Sequence, residues 1–120
     1  MRGKTTEHAE QAAVIEWWAY AHKRFKLPEF ALYAVPNGNA RSFSVGKALK
    51  AEGVRKGIPD LALDAPRGSF HGLRCEMKIW PNKPSDEQVA VIAYLERTGY
   101  KVAVCWSGEQ AISVIKAYLS

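Results

Sequence analysis

The sequence predicts an α/β fold, a mixed sheet of about four strands flanked by helices, from three observations. Two short apolar runs, around Leu61 and around Cys75, flank the cluster Asp64-Ala65-Pro66-Arg67-Gly68-Ser69, the pattern of a β-hairpin. A helical segment then leads to a near-continuous apolar run, Tyr100–Trp106; a strand reached through such a crossover lies parallel to its neighbour. Further helical periods open and close the chain, giving the order helix, strand, helix, hairpin, helix, strand, helix.

At 120 residues, with 48% apolar and 24% charged side chains, the chain reads as one globular domain spanning 1–120, large enough for a core but not for two. The net charge of +5 permits a polyanionic partner. The cations are spread along the chain, so no disordered basic tail is expected. Cys75 and Cys105 sit in apolar strand contexts without CxxC spacing. They read as reduced, buried thiols of a cytoplasmic protein. The first ten residues are polar, unlike a signal peptide, and no apolar run approaches a membrane span.

Thr5 or Thr6 can cap a first helix that continues to about Phe25. At about 100° per residue, Glu7, Gln11, Val14, Trp18 and Phe25 fall close to one line. Glu10 stands about 60° to one side, on the flank with Trp17 and Ala21. Glu7 is therefore an acid at the N-terminal end of the buried stripe. Complementing the helix dipole would by itself account for both acids.

Leu27-Pro28-Glu29 breaks that helix. Phe30–Val35 reads as a strand, ending at the turn Pro36-Asn37-Gly38-Asn39. This turn is either a plain loop or a place where Gly38 lets the backbone approach a ligand. Arg41–Glu52 is a short helix with a basic face of Arg41, Lys47 and Lys50, ended by Gly53. Gly53-Val54-Arg55-Lys56-Gly57 follows, readable equally as a solvated basic loop or as a phosphate contact. After the hairpin, Ser85 with Gln88 fits a capping box for a helix to Thr98, ended by Gly99. Ser107 with Gln110 fits a second box, for a last helix to about Leu119.

The hairpin carries the chemistry. A turn centred on Gly68 sets Leu61 against Cys75, Ala62 against Arg74, Leu63 against Leu73 and Asp60 against Glu76. Because strand side chains alternate, Leu61, Leu63, Leu73, Cys75 and Met77 share one apolar face. Asp60, Glu76 and Lys78 share the other. Like charges directly opposite destabilise a strand pair, so a divalent cation is the natural occupant between the acids. Mg²⁺ takes oxygen ligands of this kind, and the Met77 carbonyl at the same edge can add a third oxygen. Such a site suits phosphodiester hydrolysis, with Lys78 orienting water or offsetting charge on phosphorus.

Pro59-Asp60 followed by Glu76-Met77-Lys78 resembles the PD-(D/E)xK nuclease motif. Thr6-Glu7-His8-Ala9-Glu10-Gln11, Pro36-Asn37-Gly38, Gly53–Leu61, Gly72–Lys78, Ser85-Asp86-Glu87-Gln88 and Gly99-Tyr100-Lys101-Val102 stand in the order found in the virus-type replication-repair nuclease (VRR-NUC) domain. The resemblance covers nearly the whole chain. It implies a restriction-endonuclease-like core and Mg²⁺- or Mn²⁺-dependent cleavage of DNA. It implies Asp60 and Glu76 as metal ligands and Lys78 as the catalytic lysine. It also implies a first-helix Glu four residues before a Gln, matching Glu7 with Gln11, and Glu10 remains the rival. Gln88 corresponds to a site-supporting Gln. Asn37, Arg41, Lys50, Arg55 and Lys56 are candidate DNA contacts. Stand-alone members of this length resemble phage homodimers that resolve four-way (Holliday) junctions, as in DNA repair. Alternatives are a catalytically silent nucleic-acid-binding module on the same fold, or a flap or restriction-type nuclease.

Overall fold

The computed structural model describes residues 5–36 and 43–120. Helix α1 spans Glu7–Ala21 and is capped by Thr6, whose hydroxyl accepts from the Ala9 N–H at 3.0 Å. It tightens into a 3₁₀ turn over His22–Phe25, so the expected helix to Phe25 changes type at its last turn. Lys26, at φ 57°, ends it in the left-handed region. A second 3₁₀ turn, Glu29–Ala31, takes up the start of the expected first strand and leaves β1 as Leu32–Ala34. Helix α2 covers Phe43–Ala51, and Gly53 follows it at φ 97°.

Strands β2 (Leu61–Leu63) and β3 (Leu73–Met77) form the hairpin. Leu61 pairs with Cys75, Ala62 with Arg74 and Leu63 with Leu73, the register expected from the sequence. The turn itself is offset by one residue. Arg67 and Phe70 exchange backbone hydrogen bonds across Gly68-Ser69, with Gly68 at φ 57°. Three residues, 64–66, then oppose two, 71–72, and this bulge restores the register below it.

Helix α3 (Asp86–Arg97) connects β3 to β4 (Lys101–Cys105), and α4 (Gly108–Leu119) closes the fold. The sheet order is β1-β2-β3-β4, antiparallel except for the parallel β3–β4 pair. A mixed four-strand sheet flanked by helices is thus the observed architecture. β4 is less buried than its composition suggests, because it is an edge strand; only Cys105 is fully enclosed.

Both helices α1 and α4 pack on the inner face of the sheet. Val14 and Trp18 from α1 and Ala111, Ile115 and Tyr118 from α4 meet Leu61, Leu63, Leu73, Cys75 and Met77. The two thiols are free and buried in this layer. Trp18 donates its indole N–H to the Glu29 carbonyl at 2.8 Å, and Tyr118 its hydroxyl to the Ala65 carbonyl at 2.7 Å. Each buried ring thereby keeps its polar atom satisfied. Trp106, which ends the apolar run of β4, is only half-buried. Helix α3 lies on the opposite, outer face, where its Gln88 reaches Glu76 of β3. Ser85 and Gln88 complete the expected capping box. The second box forms only in half. Ser107 accepts from the Gln110 N–H, but the Gln110 amide turns to the Trp106 N–H at 2.6 Å.

Candidate active site

Asp60 lies immediately before β2, level with the C-terminal part of β3. Its preceding Pro59 has no N–H to offer the ladder. The Asp60 carboxylate serves as the acceptor at this strand end: its Oδ2 accepts the Met77 N–H at 2.7 Å. The carboxylate is thereby fixed at the end of the strand pair, with 8% of the residue exposed. The N–H and C=O of one strand residue point to the same side, so the Met77 carbonyl faces the Asp60 edge.

Glu76 is 1% exposed, on the outer face of β3. Its Oε1 accepts from Gln88 Nε2 at 2.7 Å and stands 3.9 Å from Lys78 Nζ. Its Oε2 is buried with no hydrogen-bond partner among the described residues. An orphaned buried carboxylate oxygen is costly and calls for an explanation. The carboxyl's pKa is pushed up to about 8, first by burial and then by the Asp60 charge. Lys78 pulls it back, while the closeness of the Asp60 carboxyl and the charge of Glu7 add to the rise. Lys78 is held in place by its own backbone, whose N–H donates to the Cys105 carbonyl at 2.9 Å.

Glu7 and Glu10 take different positions. Glu7 is half-buried and close enough for its charge to bear on Glu76. Glu10 is buried against the start of α4. Its Oε1 accepts the Gly108 N–H at 2.9 Å and its Oε2 the Thr5 hydroxyl at 2.7 Å. Gly108 permits that approach, since a Cβ there would lie 2.6 Å from the Glu10 carbonyl oxygen. Glu10 thus supplies a charge-assisted cap for α4, and Glu7 is the first-helix acid that faces the Asp60–Glu76 pair electrostatically. Gln11 is half-buried on α1.

Among the described residues no group of three or more His, Cys, Asp or Glu is gathered for a metal ion. The donor set is therefore two carboxylates with a carbonyl edge. That set fits Mg²⁺ or Mn²⁺, which bind through one or two carboxylates and keep the remaining positions for water and substrate oxygens.

Of the candidate DNA contacts, Lys50, Arg55 and Lys56 are exposed, whereas Asn37 and Arg41 lie outside the described residues. Gly57 ties the Arg55-Lys56 loop to the site's support. At φ 85° it packs on the N-terminal turn of α3, where a Cβ would meet Glu87 backbone atoms at 3.0 Å. Sequence reasoning did not find the polar network on the same outer face. Tyr33 donates to Asp64 Oδ2 at 2.7 Å, and Arg74 contacts Asp64 Oδ1 at 3.3 Å and sits 4.5 Å above the Tyr100 ring. The signal was available: Arg74 stands two residues before Glu76, on its face.

Two buried acids and a lysine thus stand at adjacent strand ends of an α/β domain, with a helix-borne Gln against one acid. The VRR-NUC domain family model matches residues 5–109. The chain belongs to the VRR-NUC domain family, a family of nucleases. A solved structure titled VRR-NUC domain protein is 30% identical, at a TM-score of 0.79, covering 98% of this chain and 90% of its own. A second, titled VRR-NUC domain, is 23% identical at a TM-score of 0.52, covering 95% of this chain and 99% of its own, and supports the fold alone. None of the curated proteins compared matches the chain. Among the described residues no helix is long and apolar enough to cross a membrane.

Proposed function

We propose that this chain is a Mg²⁺- or Mn²⁺-dependent DNA endonuclease of the PD-(D/E)xK type, selective for DNA structure and acting as a homodimer on four-way junctions. The observation that carries the metal-dependent part is Glu76. A buried carboxylate with one oxygen unpartnered, facing a second carboxylate, is unfavourable unless a proton or a metal cation relieves it, and the raised pKa marks a group that would exchange the one for the other. Asp60, Glu76 and the Met77 carbonyl would hold the ion, and Glu7, outside that donor set, would bear on it through its charge. The metal would polarise a phosphoryl oxygen and acidify a bound water.

The chain's own residues do the rest. Gln88 fixes Glu76 by donating to Oε1, and so leaves Oε2 free to take a ligand. The Met77 N–H fixes Asp60 Oδ2 in the same way. Lys78, only partly exposed and beside Glu76, places a cation where negative charge develops on the phosphoryl group. Lys50, Arg55 and Lys56 offer phosphate contacts along the approach. Paired cuts on opposite strands need two such sites related by a two-fold axis, which supports a homodimer. Junction selectivity rests on the resemblance to phage-type members of the family.

The test is incubation of purified protein with labelled four-way junction, flap, single-stranded and duplex DNA, in Mg²⁺, Mn²⁺ or EDTA. Symmetric paired cuts confined to the junction, abolished by EDTA, are expected. Failure to cut any of these DNAs with metal would leave the binding-module alternative in its place. A protein of monomer mass in solution would remove the dimer.

A further inference from the structure

The nuclease reading leaves Trp80 without a role. This residue follows the catalytic strand directly, two positions past Lys78, and is 74% exposed. A large apolar ring left in water is unfavourable, and a flexible loop would fold it away. The segment is not free to do so. The Asn82 N–H donates to the Ile79 carbonyl at 2.8 Å, closing a turn around Trp80-Pro81. The Asn82 carbonyl in turn accepts the Trp106 indole N–H at 3.2 Å. Pro81 and Pro84 stiffen the backbone further. Trp80 is thus presented to solvent from a turn pinned at both sides.

Exposure alone does not single it out, since Tyr20 and Phe30 are as exposed. Position does. Tyr20 sits near the C-terminal end of α1, roughly 20 Å along that helix from Glu7. Trp80 is at most about 7 Å of extended backbone from Lys78. Its neighbours also fit one kind of partner. The segment 77–84 holds Lys78 and Lys83 and no acid.

We propose that Trp80 is a stacking platform for an unstacked base of the DNA, next to the bond that is cut. The inference rests on the nuclease reading and extends it to how the site selects DNA. Aromatic–base stacking is sequence-tolerant, because every base has a π face, while the flanking cations hold the phosphates. A base can reach the indole only where it is out of the helical stack, at a branch point or in a single strand. Trp80 therefore discriminates by DNA structure rather than by sequence. Continuous duplex gains nothing from it.

The test uses the full chain in EDTA, so that binding is measured apart from cleavage. The probes are a four-way junction carrying 2-aminopurine at the branch and a duplex of the same length. Wild type, Trp80→Phe and Trp80→Ala are compared, each first checked for an unchanged melting temperature and solution mass. Wild type and Trp80→Phe should quench the 2-aminopurine. Trp80→Ala should leave it bright and bind the junction roughly tenfold more weakly, with duplex affinity within about twofold of wild type. Undiminished junction binding and quenching by Trp80→Ala would overturn the stacking role and leave the nuclease reading intact. Loss of dimer mass in Trp80→Ala, with all DNAs weakened equally, would make Trp80 a contact between copies instead. A wild-type protein that binds neither DNA would overturn the stacking role, while the nuclease reading stands or falls separately on cleavage with Mg²⁺ or Mn²⁺.

Discussion

The β2–β3 pair has two faces made by the same strands, and they follow opposite rules. The inner face carries Leu61, Leu63, Leu73, Cys75 and Met77, each at most 1% exposed. Every contact there removes apolar surface from water and stabilises the fold. The outer face carries Asp60 and Glu76, nearly as deeply buried, with one Glu76 oxygen unpartnered. Hydrogen bonds from the Met77 N–H and from Gln88 hold the two acids in place, but their burial opposite one another opposes folding. A strand pair that is well packed on one side and electrostatically frustrated on the other is what a site looks like when the missing stabilisation comes from a ligand.

The sharpest way to separate the faces is Asp60→Asn. The amide can still accept the Met77 N–H, and it removes the charge opposite Glu76. Metal-dependent cleavage should fall by about 10³-fold or more. The metal-free melting temperature at pH 8 should equal or exceed that of wild type. Parallel nuclease assays and thermal melts check both. A variant that loses stability and activity together would erase the distinction.

Leu73→Ala probes the inner face. Leu73 is fully buried, so truncation should cost about 2–5 kcal/mol in chemical denaturation. Cleavage per folded molecule should stay within a few-fold of wild type.

The two first-helix acids extend the contrast to α1. Glu10→Gln weakens a buried, charge-assisted contact to α4 and should lower stability by about 1–3 kcal/mol. Its effect on cleavage per folded molecule should be small. Glu7→Gln should do the reverse, reducing cleavage by about 10–100-fold with an unchanged denaturation midpoint. Exchanged phenotypes would return the site role to Glu10.

The smallest effect is in pH. Glu76 has its folded-state pKa raised from 4.5 to about 8. Its contribution to stability is therefore fully present below the unfolded value, near pH 4.5, and is lost as pH rises through about 8. Melts of metal-free protein should show this decline over that window. Asp60→Asn should flatten it, because one cause of the shift is gone.

The sequence made the two faces legible because strand alternation is local and sets the apolar residues of both strands on one side. The bulge at 64–66 shows how this succeeded despite an offset turn: the hydrophobic pattern, not the turn centre, pins the register. Glu10 was illegible for a different reason. Its partner, the Gly108 N–H, lies 98 residues away, and helical periodicity cannot say which end of another helix lands on a flank. Gln88 was legible only in part. Its capping role is written in Ser85-Asp86-Glu87-Gln88, while its second bond, to Glu76, depends on α3 crossing the outer face. The apolar run Tyr100–Trp106 shows the limit of composition, which does not tell an edge strand from a central one. Half of the second capping box failed because the Gln110 amide had a competing backbone donor in Trp106.

The central claim, that the Asp60–Glu76 pair is a metal site, is tested most directly by calorimetric titration of metal-free protein with Mg²⁺ and Mn²⁺ at pH 7. Running it in two buffers of different ionisation enthalpy counts the protons released. With Glu76 titrating at about 8, saturable binding should expel about one proton per protein from that carboxyl. Asp60→Asn should abolish the binding. No saturable heat, or binding with no proton released, would contradict the account.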